Sequence, residues 1–167
     1  FIAFILYLTM TSSSGGITGY SVTGCSNGTT GCHGAASATT VLNITGLPAA
    51  GYTNGTVYSI TVSVTNASIT PVGGFGLRDG FDLSATAGSF TSVTGTALNG
   101  ATEIRHAGAK VPTAGTASWT FNWTAPATGT ATVTFRLAGN PTNGDGIANA
   151  ADQWKLYTTT LIKAPAM

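Results

Sequence analysis

Charge is scarce in this chain. Of 167 residues only 7% are charged, six Lys or Arg against five Asp or Glu, and the formal net charge is +1. There is no basic stripe to neutralise a phosphate backbone, so nucleic acid is not expected as a partner. Cysteine is scarce too, with Cys25 and Cys32 alone, an even pair in a chain that reads as exported, where free thiols are not expected. Histidine stops at two, His33 and His106. The apolar start of the chain is ten residues long, well short of the roughly 20 that a transmembrane helix needs. No stretch sustains helical periodicity. Nor is there a Ser-His-Asp order, a phosphate loop or a catalytic Cys-His arrangement, so enzymatic activity is not expected.

What the chain does contain is Thr, Ser, Gly and Ala, with a hydrophobic fraction of 43%. At this length it is one domain with room for a core. A surface so poor in charge suits an extracellular protein living in an assembly or under a sugar coat, because a bare monomer would aggregate. Five Asn-x-Ser/Thr sequons, at Asn27, Asn43, Asn54, Asn66 and Asn122, offer glycan acceptors. In a Thr-rich chain several arise by chance, so the motif alone is a weak signal.

The first ten residues form an uncharged, almost wholly apolar ribbon. Read with period two, Ile2, Phe4, Leu6, Leu8 and Met10 are all bulky, while Ala3 and Thr9 fall on the other side. That is the profile of a strand meant for burial, behind a Ser/Gly hinge at residues 11–16. Three fates are open: insertion into a neighbouring copy, retention as part of a leader without the usual basic start, or insertion into its own sandwich. The chain therefore divides into residues 1–14, apolar strand and hinge, and residues 15–167, the folded domain.

Residues 15–37 read as an irregular segment crossing the end of a sheet. Strands are expected at residues 38–44, at 58–64 with Tyr58, Ile60, Val62 and Val64 on one face, at 75–83 as a bulged strand or strand pair, and at 89–93 and 102–106. A tight turn at residues 52–55 uses Asn54-Gly55. The strongest pattern is 117–123, with Ala117, Trp119, Phe121 and Trp123 inward, a strand that should sit centrally. Ala131, Val133, Phe135 and Leu137 are expected to alternate back as its hairpin partner. A polar loop over 139–152 leads to a last strand at 154–162. Seven to nine short strands between turns predict an all-β fold, an immunoglobulin-like antiparallel β-sandwich with an extended N-terminal strand.

The Cys25 to Cys32-His33-Gly34 block, Tyr58 to Val62, Glu103-Ile-Arg-His106, the Trp119 to Pro126 block and Gly139-Asn140 to Gly144-Asp145 resemble the bacterial choice-of-anchor V domain. That family is itself similar to the Reeler domain of animal extracellular proteins. The likeness spans roughly residues 15–163. It implies a secreted or cell-surface β-sandwich with no known enzymatic activity. It also implies a haem option, since many members carry Cys-x-x-Cys-His, the signature of covalent c-type haem. Here six residues separate Cys25 from Cys32, with His33 following directly. On that reading the cysteines attach haem c and His33 and His106 are its axial ligands. The alternative is a Cys25–Cys32 disulfide closing a small surface loop, with both histidines merely polar.

Residues 143–146 with Asp152 hint at calcium, but the spacing favours a plain turn. Asp79 and Asp82 read as solvated loop carboxylates. The leading expectation is a self-assembling extracellular filament or surface layer built by exchange of the N-terminal strand between copies. A mono-haem electron carrier, itself able to form a filament, is the alternative, and a Reeler-like adhesion or binding module is the third.

Overall fold

The computed structural model describes residues 15–25, 33–72 and 76–165. The apolar ribbon with Ile2, Phe4, Leu6, Leu8 and Met10, the sequon at Asn27, Cys32 and the Phe75 start of one expected strand lie outside the described residues. Among the described residues, one short helix, α1 (Tyr20–Thr23), precedes nine strands: β1 (Val41–Thr45), β2 (Val57–Thr65), β3 (Arg78–Ala85), β4 (Ser89–Thr91), β5 (Thr96–Leu98), β6 (Glu103–His106), β7 (Thr116–Thr124), β8 (Thr132–Thr142) and β9 (Lys155–Ile162). They form two antiparallel sheets, ordered β1-β2-β7-β4 and β5-β6-β3-β8-β9.

Alternation of apolar and hydroxyl residues drives the pairing. On β2, Ile60, Val62 and Val64 are fully buried, and on β7, Ala117, Trp119, Phe121 and Trp123 point the same way. Nine consecutive register pairs join the two strands, from Val57 opposite Thr124 to Thr65 opposite Thr116. β7 lies between β2 and β4, in the interior of its sheet, as its aromatic content predicts. Burying aromatics of this size contributes about 2–3 kcal/mol each. On the solvent side the same strands lock hydroxyl to hydroxyl, Thr61 to Thr120 at 2.8 Å and Thr65 to Thr116 at 2.9 Å. The expected turn closes with the Thr56 amide on the Thr53 carbonyl at 3.2 Å, and Gly55 takes the left-handed φ of 68° that such a reversal requires.

Three expectations are corrected. β8 is not the hairpin partner of β7. It pairs with β3 and β9 in the other sheet. Ala125 first continues along β2, its amide on the Thr56 carbonyl at 2.9 Å, and the chain then arches across the core. Trp123 and Phe135 consequently meet edge-on across the sandwich, with centroids 5.0 Å apart. Second, β8 runs on through Pro141 to Thr142, shortening the expected polar loop from its N-terminal side. Third, Asp79 and Asp82 are not solvated. Both sit on β3 at 2% and 4% exposure. The short strand β5 and the helix α1 carry too few residues to show a period.

Candidate functional site

The site lies on the outer face of the five-stranded sheet. On β3, Phe81, Leu83 and Ala85 belong to the core, so period two turns Gly80 and Asp82 outward. On β8, Val133, Phe135 and Leu137 are core, which turns Ala138, Asn140 and Thr142 to the same outer side. Over this floor pack the segment bearing α1 and the connection between β8 and β9, enclosing a cavity of about 630 Å³. Its walls include Ile17, Phe81, Ala138 and Ile147, and it brings together Cys25, His33 and His106. The three described members of the sequence-predicted cluster therefore share one cavity.

β6 ends at His106, whose Nδ1 lies 3.0 Å from both the carbonyl oxygen and the amide nitrogen of Phe81. Donation from Nδ1 to that carbonyl leaves the Nε2 lone pair open. The ring packs on Gly80, where any Cβ would collide with it. Burial pushes the His106 pKa down, as does the neighbouring Arg105, against the pull of the Phe81 contact. The imidazole is held neutral, the state a metal ligand requires.

His33, which lines the same cavity, is also fixed through its Nδ1. Its Nδ1 lies 2.9 Å from Asp152 Oδ2, with both side chains almost buried. Its Nε2 accepts from Asn140 Nδ2 at 3.1 Å. Asp152 also takes the Asn143 amide on Oδ1 at 3.2 Å, so one carboxylate shapes the loop and aims the imidazole. Within that loop Asp145 is satisfied by the Ile147 amide and the Asn149 side chain, each at 2.8 Å, and by Asn143 Nδ2 at 3.1 Å. The Ile147 bond is an Asx turn and the two asparagine bonds join side chains, and together they occupy the oxygens that the calcium reading would have assigned to an ion.

Asp82 is the polar group that sequence reasoning misjudged most. Its Oδ2 accepts the Tyr20 and Ser21 amides, each at 2.9 Å, which pins α1 to the sheet. Ser21 and Ser84 hydroxyls add a bond of 2.9 Å, and Glu103 accepts the Gly19 amide at 2.5 Å. Asp82 Oδ1 has no hydrogen-bond partner among the described residues. Burial, with nearby Glu103 adding to it, raises the Asp82 pKa to about 7 even though the two amides pull it down. Asp79 is raised to about 7 by burial alone. The one available signal was position: Asp79 stands two residues before Phe81 and Asp82 follows it directly, both within a segment that supplies core residues.

The structure also sorts the sequons. Asn43 and Asn122 are exposed on strands, and Asn54 is half-buried in its turn. Asn66 is 4% exposed. Its Nδ2 donates to Thr40 Oγ1 at 2.9 Å and its Oδ1 accepts the Ser68 amide at 2.9 Å. The folded protein has no room for a sugar there, which corrects the expectation for that site.

No protein-family model matches the sequence, and no curated protein does either. Similar solved structures include the human F-spondin reeler domain, at 18% identity and TM-score 0.47 over 78% of this chain and 93% of that one. A DUF4466 family protein from Parabacteroides merdae matches at 14% identity and TM-score 0.48, over 78% of this chain and 46% of that one. An uncharacterised immunoglobulin-like protein from Nocardia farcinica matches at 12% identity and TM-score 0.34, over 80% and 99%. A Reeler domain is thus among the neighbours, and the finer likeness to choice-of-anchor V domains is not shown by them. At such identities and scores they say nothing about function.

Proposed function

We propose that the protein is an extracellular binding module whose cavity takes haem, with His33 and His106 as the ligand pair and Cys25, together with Cys32, as the attachment. One observation carries this reading: two imidazoles line one cavity, and each has Nδ1 hydrogen-bonded so that Nε2 is left to accept. The cavity volume falls within the range of about 300–1,000 Å³ typical of ligand and cofactor sites. Phe81, Ile17 and Ile147 supply apolar walls. When bound, such a group supplies one-electron exchange. The chain's own residues would orient and shield it: Asp152 and the Phe81 carbonyl fix the rings, Gly80 makes room for one of them, and His33 would hold the metal in place of its bond to Asn140.

The test is an absorption spectrum of the purified native protein, oxidised and reduced, with its intact mass. A Soret band and a mass gain of one haem support the reading. A featureless spectrum with a mass two hydrogens short establishes the disulfide and overturns it.

A second reading, self-assembly by strand exchange, is favoured by the outer edge of β9. Among the described residues no strand pairs there. The flanks are held by the Ser37 amide on the Trp154 carbonyl and the Tyr52 amide on the Ile162 carbonyl. The eight residues of β9 offer a backbone ladder comparable in length to the apolar segment from Ile2 to Met10. Leu6→Asp or Leu8→Asp should then stop polymer growth while the domain stays folded, and filaments persisting in both variants would refute this mode of assembly.

A further inference from the structure

All eleven charged residues lie off the β1-β2-β7-β4 sheet. Seven stand on β3, β6, β8 and β9, and the other four, Lys110, Asp145, Asp152 and Lys163, are in connections. Lys110 reaches the edge of this sheet by donating to the Ser118 carbonyl at 2.5 Å. Apart from exposed Val41 and Val57 and two asparagines, the sheet's outer face is a field of hydroxyls in register, Ser63 opposite Ser118 and Thr61 opposite Thr120. Two sequons lie in it. Residues i and i+2 of a strand share a face, so Asn43 with Thr45 and Asn122 with Thr124 both turn outward, opposite to buried Leu42, Ile44, Phe121 and Trp123.

We propose that this face is the glycan-bearing surface of the protein, modified at Asn43 and Asn122. Both side chains are exposed on regular strands. Neither amide is engaged with another described group, whereas the Asn66 amide is buried and bonded. Asn43 stands opposite Ser63 and Asn122 opposite Ser59. Four residues along β2 and two strand spacings separate them by about 16 Å, enough for two glycans side by side. In each transfer Asn Nδ2 attacks C1 of the sugar of a lipid-linked oligosaccharide. The bond from C1 to the lipid phosphate oxygen breaks, the lipid phosphate leaves with the electron pair, and one amide proton passes to a base of the transferase. The sugars supply the hydration that a flat, charge-free face lacks, and they stand on the far side of the sandwich from the cavity.

The experiment is mass mapping of proteolytic peptides from protein purified from its own cells. Peptides holding Asn43 and Asn122 should carry the same added glycan mass, and the Asn66 peptide none. Asn43→Gln and Asn122→Gln should each lower the intact mass by one glycan, as should Thr45→Ala and Thr124→Ala, which keep the asparagine. Bare peptides at both Asn43 and Asn122, whatever the state of the other sequons, overturn the proposal. Glycan on Asn66 in the folded protein overturns the burial argument behind it.

Discussion

A methyl group at position 80 would meet the His106 ring head-on, so Gly80→Ala should displace the imidazole and weaken hemin binding in a titration, with the sandwich still folded. Asp152→Asn removes the carboxylate that aims His33. By analogy with other residues that orient metal ligands, it should cost about 10- to 100-fold in hemin affinity. Asp79 makes a different prediction. Its pKa is raised from the ordinary value of 3.8 to about 7 by burial, so between those values the folded state binds more protons than the unfolded one. Stability is therefore fullest below about pH 4 as far as this group is concerned, declines as pH rises to 7, and is level beyond. Asp82 adds a slope of the same sign. Asp79→Asn should flatten part of this decline and stabilise the protein at pH 8 by at most about 4 kcal/mol, read from denaturant midpoints at pH 5 and pH 8. A midpoint that moves down at pH 8 would contradict the burial assignment.

At the level of elements, β2 and β7 were legible because each alternates strictly and each is half-buried in an antiparallel pair, the condition under which period two survives. Trp123, fully buried and touching Tyr52, Tyr58 and Phe135, should cost about 3–5 kcal/mol as Trp123→Ala, visible as a large drop in melting temperature. What alternation could not reveal was partner choice. The inward sets of β7 and β8 fit a hairpin and a facing pair equally well, and the difference is made by Ala125 staying on β2. Cys25, His33 and His106 were legible as a cluster because two histidines and two cysteines are so few. Gly80 and Asn140 were not, since their part in the site comes from β3 and β8 lying side by side. The β9 edge yields its own test. Thr158→Pro removes an amide midway along the free edge without adding a charge. If strand exchange uses this edge, assembly should fail in light scattering while the circular dichroism of the monomer is retained. Full assembly would exclude β9 as the acceptor.

Across the whole molecule, no Lys or Arg side chain pairs with a carboxylate among the described residues, the one such contact being that of the His33 ring with Asp152, and cohesion rests on the apolar core and on hydroxyl ladders. Moving from low salt to about 1 M should change the unfolding free energy by less than about 1 kcal/mol apart from general salting effects, measurable by denaturant titration at both ionic strengths. The strand order also governs when folding can occur. β2 waits for β7, whose first residue is Thr116, and β3 waits for β8, which begins at Thr132. Until most of the chain has left the ribosome, only the β1–β2 hairpin and the small β3–β6 group have partners, and neither buries both of its faces. The growing polypeptide stays threadable almost to its last strand, and the finished domain closes in a single late step.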